Sequence, residues 1–379
     1  HTRWGQRLPW MVVGGLLTPI VVVGIFAAPT QSPAITVIYM VTCTLLFATT
    51  YTMFMIPYMI MPAEITSSYH GRTQLMSFRV VFSSLGSMAG MGLGPVLLAT
   101  WGATQEGHIK MAAVICGISA LAVLICVWLL WDAPRGTALT KAQPSILAQV
   151  RSTLSNRPFM WLLSAKIFYY MHLSFTLGTF AYFTKHVLKV SDVWLGSILT
   201  TQTVVLICSQ PLWMWLGRRL GKRTGVMLAL AIFATAHLSW WFAAPGDPIW
   251  LVVARSVAMG IGGGGTFLLT QAMLPDIMEY DRHMMGERRE GLFAGVFVFV
   301  EKVAGALGVA FVGFFLQLMG YVKSTAGTSV AQPDSAILAL YICVALLPAA
   351  FCVAAAVVMT RYDLSPEKLA ELRLRAAAS

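Results

Sequence analysis

Long hydrophobic runs separated by short polar loops dominate this chain. A helix needs about 20 apolar residues to cross a hydrocarbon core about 30 Å thick. Backbone polar groups in lipid must be hydrogen-bonded within the protein, so such runs predict α-helices. Ten runs qualify: 9–28, 34–61, 73–100, 110–131, 159–183, 193–216, 224–244, 249–274, 290–318 and 335–360. The pattern therefore predicts an all-α membrane protein.

The composition favours the same fold class and argues against several functions. Charged residues make up 11% of the chain, whereas soluble domains carry about 25%. The 6 cysteines lie inside apolar runs without a C-x-x-C pair, which is typical of buried hydrophobes rather than disulfides or metal ligands. The chain contains no H-E-x-x-H, P-loop or G-x-S-x-G motif. We therefore expect neither an enzyme nor a cofactor.

The positively charged residues are concentrated in alternate loops between the apolar runs. A net charge of +11 would suggest a nucleic-acid partner for a soluble protein. Here most arginines and lysines occupy alternate loops, and the intervening loops hold only Lys110, Lys185, Lys189 and Lys323. The basic loops are therefore predicted to be cytoplasmic. We expect a monomer in the plasma membrane (the inner membrane of a bacterium) that contacts the bilayer and no nucleic acid.

An internal repeat divides the chain into two halves. The R-x-G-x-R pattern at 3–7 recurs at 219–223, and Pro62 recurs as Pro275 at a similar offset. Tandem halves of this kind belong to the major facilitator architecture. Two apolar runs precede the pattern in the second half, but none precedes it in the first. We therefore expect 10 of 12 helices, with the first two absent from the N-terminal side.

The repeat also predicts domain boundaries. The long polar stretch 132–158 contains prolines and a glycine, which mark it as a cytoplasmic linker. We predict an N-terminal bundle at 1–131 with helices 3–6 of the fold. A six-helix C-terminal bundle follows at 159–360, and 361–379 is a cytoplasmic tail.

Ionisable residues inside apolar helices are costly and mark candidate functional sites. Lys302 lies about 18 Å from the basic end of its helix, near the middle of the membrane. Glu301 either carries a proton or contacts a cation, or it makes a buried structural hydrogen bond. Arg79 is a candidate substrate ligand because its guanidinium can bind hydroxyls or a carboxylate. Lys166 either lines the substrate site or extends to the membrane surface.

For the other notable residues in these runs, a structural role is favoured over a functional one. Arg255 lies near a helix end, so we expect its side chain to extend toward the surface. We interpret His172 and His237 as hydrogen-bonded core histidines. The glycine run 260–265 indicates close helix packing as often as function.

A polar, aromatic patch occupies the second run. Tyr51, Thr52 and Tyr58 lie beside Pro57, which removes a helical hydrogen bond. Broken helices with polar groups often line transporter sites. We therefore expect Tyr51 and Tyr58 to contact substrate.

Three motifs stand out along the chain: the loop at 2–10, the pattern Y-T-x-x-x-I-P-Y at 51–58, and the pattern P-D-I-M-E-Y-D at 275–281 followed by 286–291 and Glu301-Lys302. Together they resemble the glycoside–pentoside–hexuronide:cation symporters, the melibiose carrier family. The resemblance extends from Thr2 to about Tyr321 and is most specific in its last motifs, where 275–281 resembles the family's loop between the tenth and eleventh helices.

The resemblance implies alternating-access symport of a sugar or glycoside with Na⁺ or H⁺. It implies a cation-coupling role for Lys302 and Thr52. It also implies sugar contacts for Arg79 and for Phe267, which occupies the position of an aromatic residue in the tenth helix. Met55 replaces the family's aspartate before Ile-Pro, so galactoside specificity is not implied. The aspartates of the family's first two helices lie outside this chain, which leaves Na⁺ and H⁺ both open.

Three other functions remain open on the sequence. An H⁺-coupled antiporter is suggested by the pattern G-x-x-x-G-P at 90–95, although small residues there also suit helix packing. A carrier of lysolipids or other amphiphiles fits the apolar Met55. A receptor or scaffold without transport activity fits poorly with Lys302 and the repeat.

Overall fold

The computed structural model describes residues 7–29, 32–66, 68–102, 104–131, 151–190, 192–285, 289–322 and 332–378. The regular structure of these ranges is helical. The pattern at 3–6, the linker residues 132–150 and the motif residues 286–288 lie outside the described residues.

The first half of the chain forms four long helices. They are α1 (Leu8–Phe26), α2 (Pro33–Ile65), α3 (Tyr69–Trp101) and α4 (Gln105–Leu129). α1 packs against both α2 and α4. α2 continues through Pro57 and Pro62 as one helix of 33 residues.

The second half contains the remaining helices. They are α5 (Arg157–Phe183), α6 (Asp192–Cys208), α7 (Gln210–Arg219), α8 (Gly221–Ser239), α9 (Ile249–Met285), α10 (Glu290–Leu318), α11 (Asp334–Tyr341), α12 (Leu347–Met359) and α13 (Pro366–Ala378). A π-helical segment, Ile342–Leu346, joins α11 to α12. α9 packs on α6 and α8, and α5 packs on α10 and α12.

Seven described helices are long and apolar enough to cross a membrane, and α6 with α7 adds an eighth if the bent pair is one span. The prediction of an all-α membrane protein is therefore confirmed. α3 and α5, with 33 and 27 residues, also have the length of a span. Both carry buried basic residues, Arg72 in α3 and Lys166 in α5.

The chain divides into two compact units. The first unit comprises His1–Ser67 and Phe82–Pro144, and the second comprises Ser68–Val81 and Ser145–Ser379. The start of α3 thus groups with the second unit, whereas the sequence placed it in the bundle 1–131. The second unit has an aromatic core in which Phe159, Phe175 and Trp213 are fully buried.

Two helices differ from the runs that predicted them. The run 193–216 predicts one helix, but α6 and α7 meet at a 43° bend at Ser209. The run 249–274 ends too early, because α9 continues through Pro275 to Met285. The P-D-I-M-E-Y-D motif is therefore helical rather than a loop. Its acidic residues are neutralised by basic partners, which removes the cost that would have ended an apolar helix there.

Candidate functional site

An ion pair joins α5 to α10 within the second unit. Lys166 Nζ lies 3.0 Å from Glu301 Oε2. The lysine side chain is only 3% exposed, and the glutamate side chain is 20% exposed. Lys166 therefore does not extend to the membrane surface. Lys302, the next residue on α10, is exposed, which fits adjacent helical residues that point about 100° apart.

Aromatic rings and two further cations surround this pair. Lys166 Nζ lies 3.0 Å from the centre of the Phe297 ring and 5.2 Å from that of Tyr170. The Tyr170 hydroxyl hydrogen-bonds to Glu301. Arg79 and Lys302 lie near enough to act on Lys166 electrostatically. We call Arg79, Lys166, Tyr170, Glu301 and Lys302 the central cluster.

The other predicted site residues lie on α2 and α9. Phe267 is half-buried on α9. Tyr51 stacks on Phe47, with ring centres 5.9 Å apart, and Tyr58 stacks on Phe54 at 5.5 Å. These stacks stay within α2 of the first unit.

Thr52 also belongs to α2 of the first unit. Its hydroxyl donates to the carbonyl of Ala48 at 2.6 Å. The cation-coupling role that the resemblance implies for Thr52 stays a prediction. Arg79 and Lys302 both belong to the central cluster of the second unit.

A second group of buried charges was not predicted. Asp276 on α9 accepts from Arg72 at 3.3 Å and from Lys222 at 2.5 Å. Arg72 also contacts Glu279 at 2.5 Å, and Lys222 donates to the carbonyl of Ala272 at 3.0 Å. Each of the four charged side chains is at most 8% exposed. We call Arg72, Lys222, Asp276 and Glu279 the α9 cluster.

The α9 cluster continues into a third set of ion pairs. Asp281 accepts from Arg289 at 2.9 Å and from the Asn156 amide at 3.2 Å. Arg282 pairs with Glu290. The expected surface loop of basic residues is thus partly a buried network that fixes α9 to the start of α10.

The sequence contained a signal for the α9 cluster that we interpreted differently. By their positions, Arg72 and Lys222 belong to the alternate basic loops that indicate orientation. Asp276 and Glu279 are three residues apart, which places both on one face of a helix. The two basic residues of the cluster balance the charge of its two acidic residues, but only the fold shows which cations face which acids.

Two histidines bridge α5, α8 and the π-helical segment. His172 Nε2 and His237 Nε2 are 2.8 Å apart, and both residues are fully buried. His237 Nδ1 lies 2.8 Å from the Val344 carbonyl. If both rings are neutral, His237 carries its proton on Nδ1 and accepts at Nε2 from His172. Their interpretation as hydrogen-bonded core histidines is confirmed.

Arg255 differs from its prediction. Its side chain is 5% exposed and pairs with Asp247 at 2.6 Å, and its guanidinium lies 5.2 Å from the Trp240 ring. Extension to the surface is therefore wrong, because a carboxylate and an aromatic face stabilise the charge within the protein.

The described residues contain no group of three or more His, Cys, Asp or Glu arranged to hold a metal ion. Outside the spanning helices, burial and then the charge of Lys185 lower the pKa of His186. His186 Nε2 lies 3.1 Å from the Tyr321 hydroxyl. A neutral His186 is therefore favoured at pH 7, which suits this hydrogen bond.

A sequence model of the family described as MFS/sugar transport protein matches residues 1–366. The glucuronide carrier protein homolog of Escherichia coli K12 is 24% identical, and the match covers 98% of this chain and 80% of that protein. The sodium-dependent lysophosphatidylcholine symporter 1 of Xenopus tropicalis is 22% identical over 97% of this chain and 75% of that protein.

Among solved structures, the fucose:proton symporter of E. coli is similar in fold, with a TM-score of 0.61 and 12% sequence identity. That match covers 93% of this chain and 84% of that structure. At this identity the likeness supports the fold alone.

Proposed function

The chain belongs to the MFS/sugar transport protein family, and on that premise we propose that it carries a sugar or glycoside together with Na⁺ or H⁺. It is an integral membrane transporter rather than an enzyme. Relatives named as a glucuronide carrier protein homolog and as a putative glycoside/cation symporter support this proposal. The basic loops face the cytoplasm in this proposal, the membrane is the bacterial inner membrane, and the protein acts as a monomer.

The buried Lys166–Glu301 pair is the observation that carries the coupling mechanism. A charge pair at this depth is expensive unless both partners stay together. Glu301 is nevertheless 20% exposed, so part of its side chain remains accessible. A proton or Na⁺ that reaches Glu301 competes with Lys166 for the same oxygens.

Lys302 and Arg79 make that competition responsive to substrate. Both cations lie near Lys166, so neutralising Glu301 strengthens the repulsion among three like charges. Arg79 has donors in a fork geometry that suits the hydroxyls or carboxylate of a sugar. Cation binding therefore favours the arrangement in which Arg79 turns to substrate, which couples the two ligands.

The transport experiment uses purified protein in proteoliposomes. Uptake of a panel of radiolabelled methyl glycosides, uronides and pentosides is measured with a Na⁺ gradient, a proton gradient or neither. We expect accumulation of at least one compound that requires one of the two gradients. Gradient-independent behaviour for the whole panel would contradict cation-coupled sugar symport.

A second candidate substrate is a lysolipid. The lysophosphatidylcholine symporter is similar over nearly the whole chain, and Met55 makes its helix position apolar where sugar carriers of the resembled family have an aspartate. Vesicles in the same assay are therefore also offered fluorescent lysophosphatidylcholine. Na⁺-dependent uptake of that compound, without uptake of any glycoside, favours this candidate.

A further inference from the structure

One stripe of α9 contains Gly260, Gly264, Phe267 and Gln271. Their spacing of four, three and four residues puts them on the same face of the helix. Phe267 is half-buried, whereas Gln271 is only 4% exposed. α6 and α7 run beside α9 and meet at the bend at Ser209. Along α9, Gly260 and Gly264 come before the level of this bend, and Phe267 and Gln271 come after it.

Before the bend, α6 covers the stripe closely. A Cβ on Gly260 would lie 2.6 Å from the carbonyl oxygen of Gln202. A Cβ on Gly264 would collide with the Ser209 hydroxyl. Only glycine permits this approach, so α6 is seated directly on this part of α9.

After the bend, α7 packs on a different face of α9. A Cβ on Gly217 would lie 3.0 Å from Leu269, and Trp213 packs where a Cβ on Gly265 would project. Gly265 and Leu269 are turned by about 100° or more from the stripe, at 100° per residue. The 43° bend therefore leads α7 away from the face that bears Phe267 and Gln271.

Beside this face lie two buried glutamine side chains whose amide oxygens accept no hydrogen bond. Among the described residues, the Oε1 atoms of Gln210 and Gln271 are buried without a partner. Gln210 is the first residue after the bend, is 1% exposed, and donates through Nε2 to the Leu206 carbonyl at 2.9 Å. A Cβ on Gly264 would be 3.3 Å from that Nε2, so Gln210 lies against the stripe. Buried acceptors without donors are rare in native proteins and need an explanation.

We propose that Gln210 and Gln271 bind hydroxyl groups of the transported sugar, with Phe267 between them. This inference rests on the proposed function and names how the same site recognises its substrate. A hydroxyl both donates and accepts, so it satisfies a side-chain amide in either orientation of the amide. An apolar pocket with a few placed polar groups is the usual composition of a small-molecule site. Neither glutamine has a titratable proton, so we assign both to substrate recognition rather than to proton coupling.

The test measures binding of the methyl glycoside that wild-type protein accumulates fastest, together with its monodeoxy analogues. Gln271→Met and Gln210→Met keep side-chain length but remove the amide. The control is Gln317→Met, because Gln317 is exposed on α10. We expect Kd to rise about tenfold in each site variant and to stay within about twofold in the control.

Deoxy analogues separate recognition from structure. In wild-type protein, one analogue is expected to bind about tenfold more weakly than the parent glycoside. In Gln271→Met that same analogue should bind as well as the parent, because the missing hydroxyl no longer has a partner. Equal penalties for the deoxy analogue in wild type and in both variants would overturn the inference.

Two outcomes separate this inference from the proposed function. If wild-type protein binds no glycoside of the panel, both fail together. If wild type binds a glycoside and the methionine variants match it, only this inference fails. Should a methionine variant not reach the membrane, Gln271→Asn retains the amide but withdraws it by one methylene. Weaker glycoside binding at unchanged thermal stability is then expected, and unchanged binding overturns the inference.

Discussion

Two buried charge groups in the same unit differ in how completely they are neutralised. In the α9 cluster, Asp276 lies between Arg72 and Lys222 and is 1% exposed. In the central cluster, Glu301 pairs with Lys166 but remains 20% exposed, and two further cations lie near. The first arrangement balances its charges, whereas the second leaves one carboxylate shared among several cations within reach of an incoming ligand.

This difference separates a structural role from a coupling role. A fully paired, fully buried group resists change because removing any partner strands a charge. A partly accessible carboxylate can exchange one cation for another at lower cost. The comparison therefore predicts that substitutions in the α9 cluster damage stability, while substitutions in the central cluster damage coupling.

The largest effect is expected for Asp276→Asn. The neutral amide leaves Arg72 and Lys222 buried with only Glu279 between them, and breaking a buried pair costs about 3–5 kcal/mol. We expect a large fall in the midpoint of thermal unfolding in detergent, measured by the fluorescence of a thiol-reactive dye on the buried cysteines. A midpoint unchanged from wild type would contradict the structural role of the cluster.

Glu301→Gln is expected to act on coupling instead. Glutamine keeps a hydrogen bond to Lys166 but cannot exchange a proton or hold a cation by charge. We expect gradient-driven accumulation to fall by at least about tenfold, the effect of 1.4 kcal/mol on an equilibrium. Exchange of labelled for unlabelled substrate at equilibrium should continue. Equal loss of exchange and accumulation would indicate a general folding defect.

A smaller effect is expected for Lys302→Gln. Lys302 is exposed, so its charge is worth less to folding than that of Lys166. We expect accumulation to fall about threefold to tenfold with the unfolding midpoint unchanged, since a like charge near Lys166 is removed. Normal gradient-driven accumulation would reject Lys302 as a coupling residue.

The smallest effect is expected for Asp363→Asn, which calibrates the other three. Asp363 pairs with Lys368 at 2.8 Å, but their side chains are 59% and 40% exposed. Exposed pairs contribute about 0–1 kcal/mol. Thermal unfolding, accumulation and exchange should all match wild type. A fall in stability comparable to that of Asp276→Asn would show that burial does not separate the two kinds of pair.

Hydrophobic patterning predicts the fold class and the positions of most of the helices. Runs of about 20 apolar residues match the thickness of a hydrocarbon core, so they can be recognised without knowing which helices they pack against. Their ends were less predictable, because α9 continues past Pro275 only when its acidic residues find Arg72 and Lys222. The bend at Ser209 was also missed, although Pro211 just after it is a local signal, because proline removes a helical hydrogen bond and often kinks a helix.

The sequence by itself determined that the chain is a helical membrane transporter and that Arg79, Lys166, Glu301 and Lys302 are costly enough to need a role. Only the tertiary structure decided that Lys166 meets Glu301, that Arg255 stays buried with Asp247, and that Gln210 and Gln271 retain buried oxygens without partners. Apolar length and isolated charge are local properties that can be counted along a chain. Partner choice depends on which helix faces meet, and residues 135 positions apart, such as Lys166 and Glu301, acquire that relation only when the helices pack.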